Sequence, residues 1–187
     1  MITKIKVQSF KSVESAEIEL GRVNLFVGAN GSGKSNLLEA ISVLAAAAFG
    51  RVDQESLLRR GCRPGGYYRP LFWSISPDVE TVISAEGDGA SYAVTLSAPP
   101  LDRPSGWEFR KELWKSDGDI LAARTITNGS ARGDVQAGLA ALRLAETTPD
   151  NPGAVMLKLL AAYGIYLPNT LILRGWVPDA TAIELSS

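Results

Sequence analysis

The chain of 187 residues contains no histidine and a single cysteine, Cys62. Without histidine, imidazole acid–base chemistry and histidine-ligated metal sites are excluded within this chain. One cysteine can close no internal disulfide and build no cysteine-rich zinc site, which fits a reducing compartment. Aromatic residues make up only 7%, and the net charge is −1, so there is no global basic field to draw in nucleic acid. Long apolar runs are also missing. The most apolar stretch, Leu37–Phe49, is too short and too amphipathic to span a bilayer. The N-terminus alternates polar and apolar residues and has no secretory pattern, so the expected location is the cytoplasm with no membrane partner. What remains is ordinary for one globular domain or a large part of one: 45% apolar, 21% charged.

The hydrophobic pattern begins with strands. Ile2–Phe10 and Glu14–Leu20 alternate near period two, and Gly21-Arg22 reads as a turn. Val23–Val27 (VNLFV) is a short apolar run that predicts a buried strand. Lys34–Phe49 predicts a helix with Leu37, Leu38, Ile41, Leu44 and Ala45 on one stripe, closed by Gly50. Gln54–Arg60 predicts a short helix and Gly61–Pro70 a loop. Thr81–Glu86, Ser91–Ser97, Trp107–Lys115 and Ile120–Thr127 predict an antiparallel meander. Val135–Glu146 and Gly153–Tyr163 predict helices. Pro168–Ser187 carries no clear pattern.

Between the expected strand and helix stands Gly28-Ala29-Asn30-Gly31-Ser32-Gly33-Lys34-Ser35, which fits G-x-x-x-x-G-K-[ST] in full. Glycines let successive backbone N–H groups point into one concavity, a nest for an anion, and the helix N-terminus adds partial positive charge. Lys34 can reach β- and γ-phosphates, and Ser35 can give its hydroxyl to Mg²⁺. Four fixed positions match by chance in roughly one chain of this length per hundred. The motif therefore points to ATP with Mg²⁺. The expected nucleotide-binding set is Gly28, Ala29, Asn30, Gly31, Ser32, Gly33, Lys34, Ser35 and Asn36, with Lys34 also catalytic and Ser35 also on the metal.

SFKSV at Ser9–Val13, VNLFV and GANGSGKSNLLEAI at Gly28–Ile41 together resemble the N-terminus of ABC-type AAA-family ATPases of the SMC/RecF/OLD-like group. Arg60-Gly61-Cys62-Arg63-Pro64-Gly65 and LPNTLILRGWVP at Leu167–Pro178 more loosely resemble bacterial AAA-family ATPases of OLD-like and anti-phage systems. The resemblance implies an α/β P-loop NTPase fold, an ABC-ATPase-like N-terminal lobe with an antiparallel β region. It implies a phosphate contact from Lys11, the alternative being an exposed turn lysine. Asn30 would help place the γ-phosphate or attacking water, the alternative being turn preference alone. A homodimer or higher oligomer, and a DNA or nuclease partner in DNA repair or antiviral defence, are implied as well.

Two parts of the group's pattern are missing: an apolar strand ending in Asp-Glu, and an LSGG-type signature. The whole chain, 1–187, is therefore expected to be a partial ATPase domain: a strand/P-loop/helix core at 1–50, a β-rich region at 51–130 and a helical region at 131–187. The half with Walker B and signature would be absent, and hydrolysis alone poor. A P-loop kinase and a non-catalytic ATP-binding module are the competing readings. Arg59, Arg60, Arg63 and Arg69 beside Tyr67 and Tyr68 suggest a nucleic-acid or partner loop or, more simply, a solvated surface. Trp107 and Phe109 are expected to share one strand face with Trp114 on the other, as core residues. Asp117-Gly118-Asp119 reads as a solvated turn.

Overall fold

A computed structural model describes residues 1–62, 79–97, 107–126 and 134–166. Arg63, Tyr67, Tyr68, Arg69, Trp73, Trp176 and the segment Leu167–Pro178 lie outside the described residues. Among the described residues, six strands form one antiparallel sheet: β1 (Lys4–Phe10), β2 (Val13–Glu19), β3 (Glu80–Gly87), β4 (Ala90–Ser97), β5 (Glu108–Ser116) and β6 (Asp119–Thr125). The spatial order is β2-β1-β3-β4-β5-β6. The helices are α1 (Lys34–Phe49), α2 (Gln54–Leu58), α3 (Leu139–Leu144) and α4 (Pro152–Ala161). No helix among the described residues is long and apolar enough to cross a membrane.

The meander arises from its turns. Asp88-Gly89 and Asp117-Gly118 each place both residues at positive φ (47° and 75°, 49° and 89°). Those angles define type I′ turns, whose twist matches that of paired strands. Register then puts Ile5 opposite Ala85, Ile83 opposite Val94 and Tyr92 opposite Trp114, all buried on one face. The other face carries Lys4, Lys6, Ser84, Ser91 and Lys115, which are only partly covered. The expected split between Phe109 and Trp114 does not occur. A register shift opposite Thr95/Leu96 inserts one extra residue between Phe109 and Lys111, returning both aromatics to the buried face. Trp107 precedes β5, is buried, and stacks on Phe10 at 5.9 Å.

Helix α1 packs on β1 and β3, and α4 packs on β4, β5 and α1. All ten residues from Glu39 to Ala48 are buried, so this part of α1 is enclosed on every side rather than along one stripe. Its alanines permit close approach: a Cβ on Gly138 would meet the Ala47 carbonyl at 3.0 Å. Gly50 ends the helix at φ 111°, its N–H donating to Ala46 and Ala47 carbonyls. Expected helix Val135–Glu146 is shorter, Leu139–Leu144, because Asp134–Gly138 forms a turn and a bridge to Arg51.

A carboxylate fastens α3 to the sheet. Glu112 of β5, buried, accepts from Tyr92 Oη (2.9 Å), Arg124 Nη2 (3.1 Å), Leu139 N (2.6 Å) and Ala140 N (3.0 Å). It thereby caps α3 from outside the helix and uses most of its lone-pair sites. Burial, with the Glu112 carboxylate beside it, holds the Tyr92 phenol well above its ordinary range.

Candidate functional site

The route into the glycine loop differs from expectation. After β2, Gly21 and Asn24 close a local turn through Gly21 N to Asn24 Oδ1 (2.8 Å) and Asn24 Nδ2 to Gly21 O (3.1 Å). Residues Val23–Val27 join no strand of the sheet. Val23, Leu25 and Val27 are 90%, 86% and 82% exposed, so the expected buried strand is corrected to an exposed, unpaired segment. Composition made this run apolar, but burial needs flanking strands, and no described strand lies against it.

The loop itself bends at two glycines. Ser32 N donates to Ala29 O (3.2 Å), closing a turn through Asn30-Gly31, with Gly31 at φ 84° and Gly33 at φ 91°. Any side chain at position 33 would be strained in that conformation and would stand 3.2 Å from Ser12 Oγ. Leu37 N to Gly33 O (2.9 Å) is the first helical bond. The amides of Lys34 and Ser35 come before it and have no acceptor inside the helix. Gly33 supplies no side-chain cap.

Lys34 lies folded across this loop. Its Nζ donates to Gly28 O (2.6 Å), Ala29 O (2.7 Å) and Ser32 Oγ (3.3 Å). The ammonium thus sits among the loop's own carbonyls, a few bond rotations from the helix N-terminus. Ser35, Asn30, Ala29 and Gly28 are exposed. An open groove of about 610 Å³ lies beside the loop, lined by Ser12, Ala16 of β2, Leu25, Val27, Ser32 and Lys34 among others. That size is in the range of small-molecule sites, and the mixed apolar and polar lining is typical of them.

Lys11 is placed elsewhere than either reading expected. It is buried, its ammonium ion-paired with Glu39 of α1, whose side chain is equally enclosed. An exposed turn lysine is thereby corrected, and a phosphate contact would require breaking a buried pair. The neighbouring Ser12 was not singled out from the sequence. It accepts a hydrogen bond from Asn36 Nδ2 at 2.6 Å and lines the groove. Its membership in SFKSV was the available signal.

The basic segment after α1 splits. Arg59 is exposed and pairs with Glu55. Arg60 is half-buried: its guanidinium stacks on Phe49 (4.7 Å) and Nη2 donates to Ala161 O (3.1 Å), tying α2 to α1 and α4. Burial lowers its pKa. Cys62 is buried, its Sγ 3.8 Å from Glu39 O, and burial pushes the thiol up to about 12, which makes it an inert core group. Asp117-Gly118 is a hairpin turn, and among the described residues no cluster of acidic or thiol side chains could hold a metal ion.

A glycine-rich loop opens helix α1 beside an antiparallel sheet and an open groove, a geometry that suits an anion at the helix N-terminus. Residues 1–89 match the AAA ATPase domain family, and the chain is similar over part of its length to RecF and Rad50 proteins. It is 31% identical over 107 residues to the DNA replication and repair protein RecF of Cytophaga hutchinsonii, covering 56% of this chain and 27% of that one. Similarity to RecF of Clavibacter michiganensis is 25% over 133 residues, 71% of this chain and 33% of that one. The DNA double-strand break repair Rad50 ATPase of Saccharolobus solfataricus is 35% identical over 65 residues, 34% of this chain and 8% of that protein. The aligned parts thus span a third or less of these relatives.

Proposed function

We propose that this chain is the nucleotide-binding part of an ATPase that acts on DNA, and that it grips ATP with Mg²⁺ through Gly28–Ser35. One observation carries the reading: the amides of Lys34 and Ser35 precede the first helical hydrogen bond, behind two positive-φ glycines, with Lys34 folded over the same loop. These residues fit the group they would hold. Amides of Gly33, Lys34 and Ser35 would ring the β-phosphate. Lys34 would leave the Gly28 and Ala29 carbonyls for the β- and γ-phosphates, and the Ser35 hydroxyl would hold Mg²⁺. The ion supplies charge neutralisation between the phosphates. Asn30, exposed at the turn, would face the γ-phosphate end.

Turnover would need an acidic pair and a second phosphate-gripping motif, supplied when this part works with the remainder of such an ATPase, in a head-to-tail dimer. The names of the relatives, replication and repair and double-strand break repair, favour a DNA-directed role over phage defence. Titration of ATP into the wild type and Lys34→Ala, with and without Mg²⁺, tests the core of this. Losing a charge-assisted contact of about 1.5–3 kcal/mol should weaken MgATP binding roughly ten- to hundredfold. Equal affinities for the two proteins would end the proposal.

A further inference from the structure

Two contacts cross from the β1–β2 turn to the first two turns of α1. Asn36 Nδ2 donates to Ser12 Oγ at 2.6 Å, and Lys11 pairs with Glu39 in the interior. Asn36 and Glu39 are three residues apart on α1, so both face the turn. The turn is irregular: Ser9 and Lys11, neither a glycine, have φ of 54° and 52°. Such backbone persists only where its surroundings over-determine it. Thr81 of β3 holds it from the sheet side, Oγ1 donating to Ser9 O at 2.7 Å, while Asn36 and Glu39 hold it from the helix side. Ser12 Oγ also stands 3.2 Å from where a Cβ on Gly33 would lie, so the turn abuts the loop where its last glycine meets the helix.

Resting on the nucleotide-binding reading above, we propose that Ser12 is a positioning residue for the phosphate loop: its hydroxyl, through Asn36, holds the first turn of α1 so that the amides of Gly33–Ser35 stay aimed at the anion. The buried Lys11–Glu39 pair anchors the same turn one helical turn further in. Ser12 also lines the groove. Direct contact with the nucleoside is therefore the rival role, and the two separate by ligand. A group that aims the loop should matter equally to ATP and to a ligand made only of phosphate.

Ser12→Thr and Ser12→Val add the same methyl and differ only in the hydroxyl, so damage from packing is common to both. MgATP and Mg-pyrophosphate would be titrated calorimetrically into the full chain, with Asn36→Ala and the Ser12→Val/Asn36→Ala double variant alongside. Ser12→Val should lose about three- to tenfold for both ligands, the loss of one hydrogen bond's worth of order. Ser12→Thr should stay within about twofold of wild type, and the double variant should be no weaker than its weaker parent. Three results would overturn the assignment: Thr and Val variants that behave alike, a loss confined to ATP, or losses that multiply in the double variant. A wild type that binds neither ligand would remove the nucleotide reading itself. Binding by the wild type and its loss in Lys34→Ala, with Ser12 variants unaffected, would remove the positioning role alone.

Discussion

The starts of α1 and α4 answer the same physical problem in opposite ways. Helix α4 begins with Asn151, whose Oδ1 accepts from Gly153 N (2.8 Å) and Ala154 N (3.3 Å), followed by Pro152, which needs no partner. The short α2 uses Asp53 on Ser56 N (2.9 Å), and α3 borrows Glu112 from β5. Helix α1 is the longest of the four described, yet the residue at its cap is a glycine, which offers no side-chain oxygen. Where a helix only serves the fold, a side-chain oxygen closes its end. Glycine at the cap forgoes only about a few tenths of a kcal/mol and leaves the amides of Lys34 and Ser35 without an acceptor inside the helix.

The comparison can be broken at its capped side. Glu112→Ala should have the largest effect. It leaves the buried Tyr92 hydroxyl without its acceptor, takes one of two acceptors from Arg124 Nη2 and uncaps α3, which should cost about 3 kcal/mol and lower Tm by roughly 10 °C. ATP affinity of the folded fraction should stay unchanged, as checked by calorimetry. Asn151→Ala should cost about 1 kcal/mol in urea unfolding, again without effect on ATP. By contrast, Lys34→Ala should leave Tm nearly unmoved while removing affinity, because its present contacts lie on an exposed loop.

A smaller test concerns the closed half of α1, against which Cys62 rests. Its thiol is raised from 9.0 to about 12 in the folded chain, chiefly by burial. The protonated thiol is the form the fold tolerates. Its contribution is therefore fully present below pH 9 and is lost as pH rises from 9 towards 12. Unfolding free energy measured across that range should fall more steeply for the wild type than for Cys62→Ala. Iodoacetamide at pH 8 should modify Cys62 only after denaturant is added.

Much of this was legible from local pattern. Helix α1 lies at its expected limits, because a glycine stands at each end and apolar residues fill the interval. Strands β3 to β6 fall within a residue or two of expectation, since Asp-Gly turns punctuate them. Three features were hidden because they depend on partners distant in sequence. The run Val23–Val27 looked buried by composition, but exposure is decided by what lies alongside. The bulge between Phe109 and Lys111 shows no local residue signal and is visible only in the pairing with β4. Glu112, an unremarkable charge in a strand, becomes a fourfold acceptor only when β4, β6 and α3 converge on it. At the loop, the motif residues were readable one by one. The Ser12–Asn36 bond was not, since it joins residues 24 apart.

The pairing of β1 with β3 sets Lys4 against Glu86. During synthesis the glycine loop and α1 leave the ribosome well before β3 exists, by on the order of several seconds at ordinary elongation rates. Until that strand arrives, β1 lacks one neighbour and Thr81 is not there to steady the turn at Ser9. Closing so long a stretch of chain is a slow step. The nascent loop is thus made early and assembled late, a delay during which it has neither its sheet nor a defined grip on any ligand.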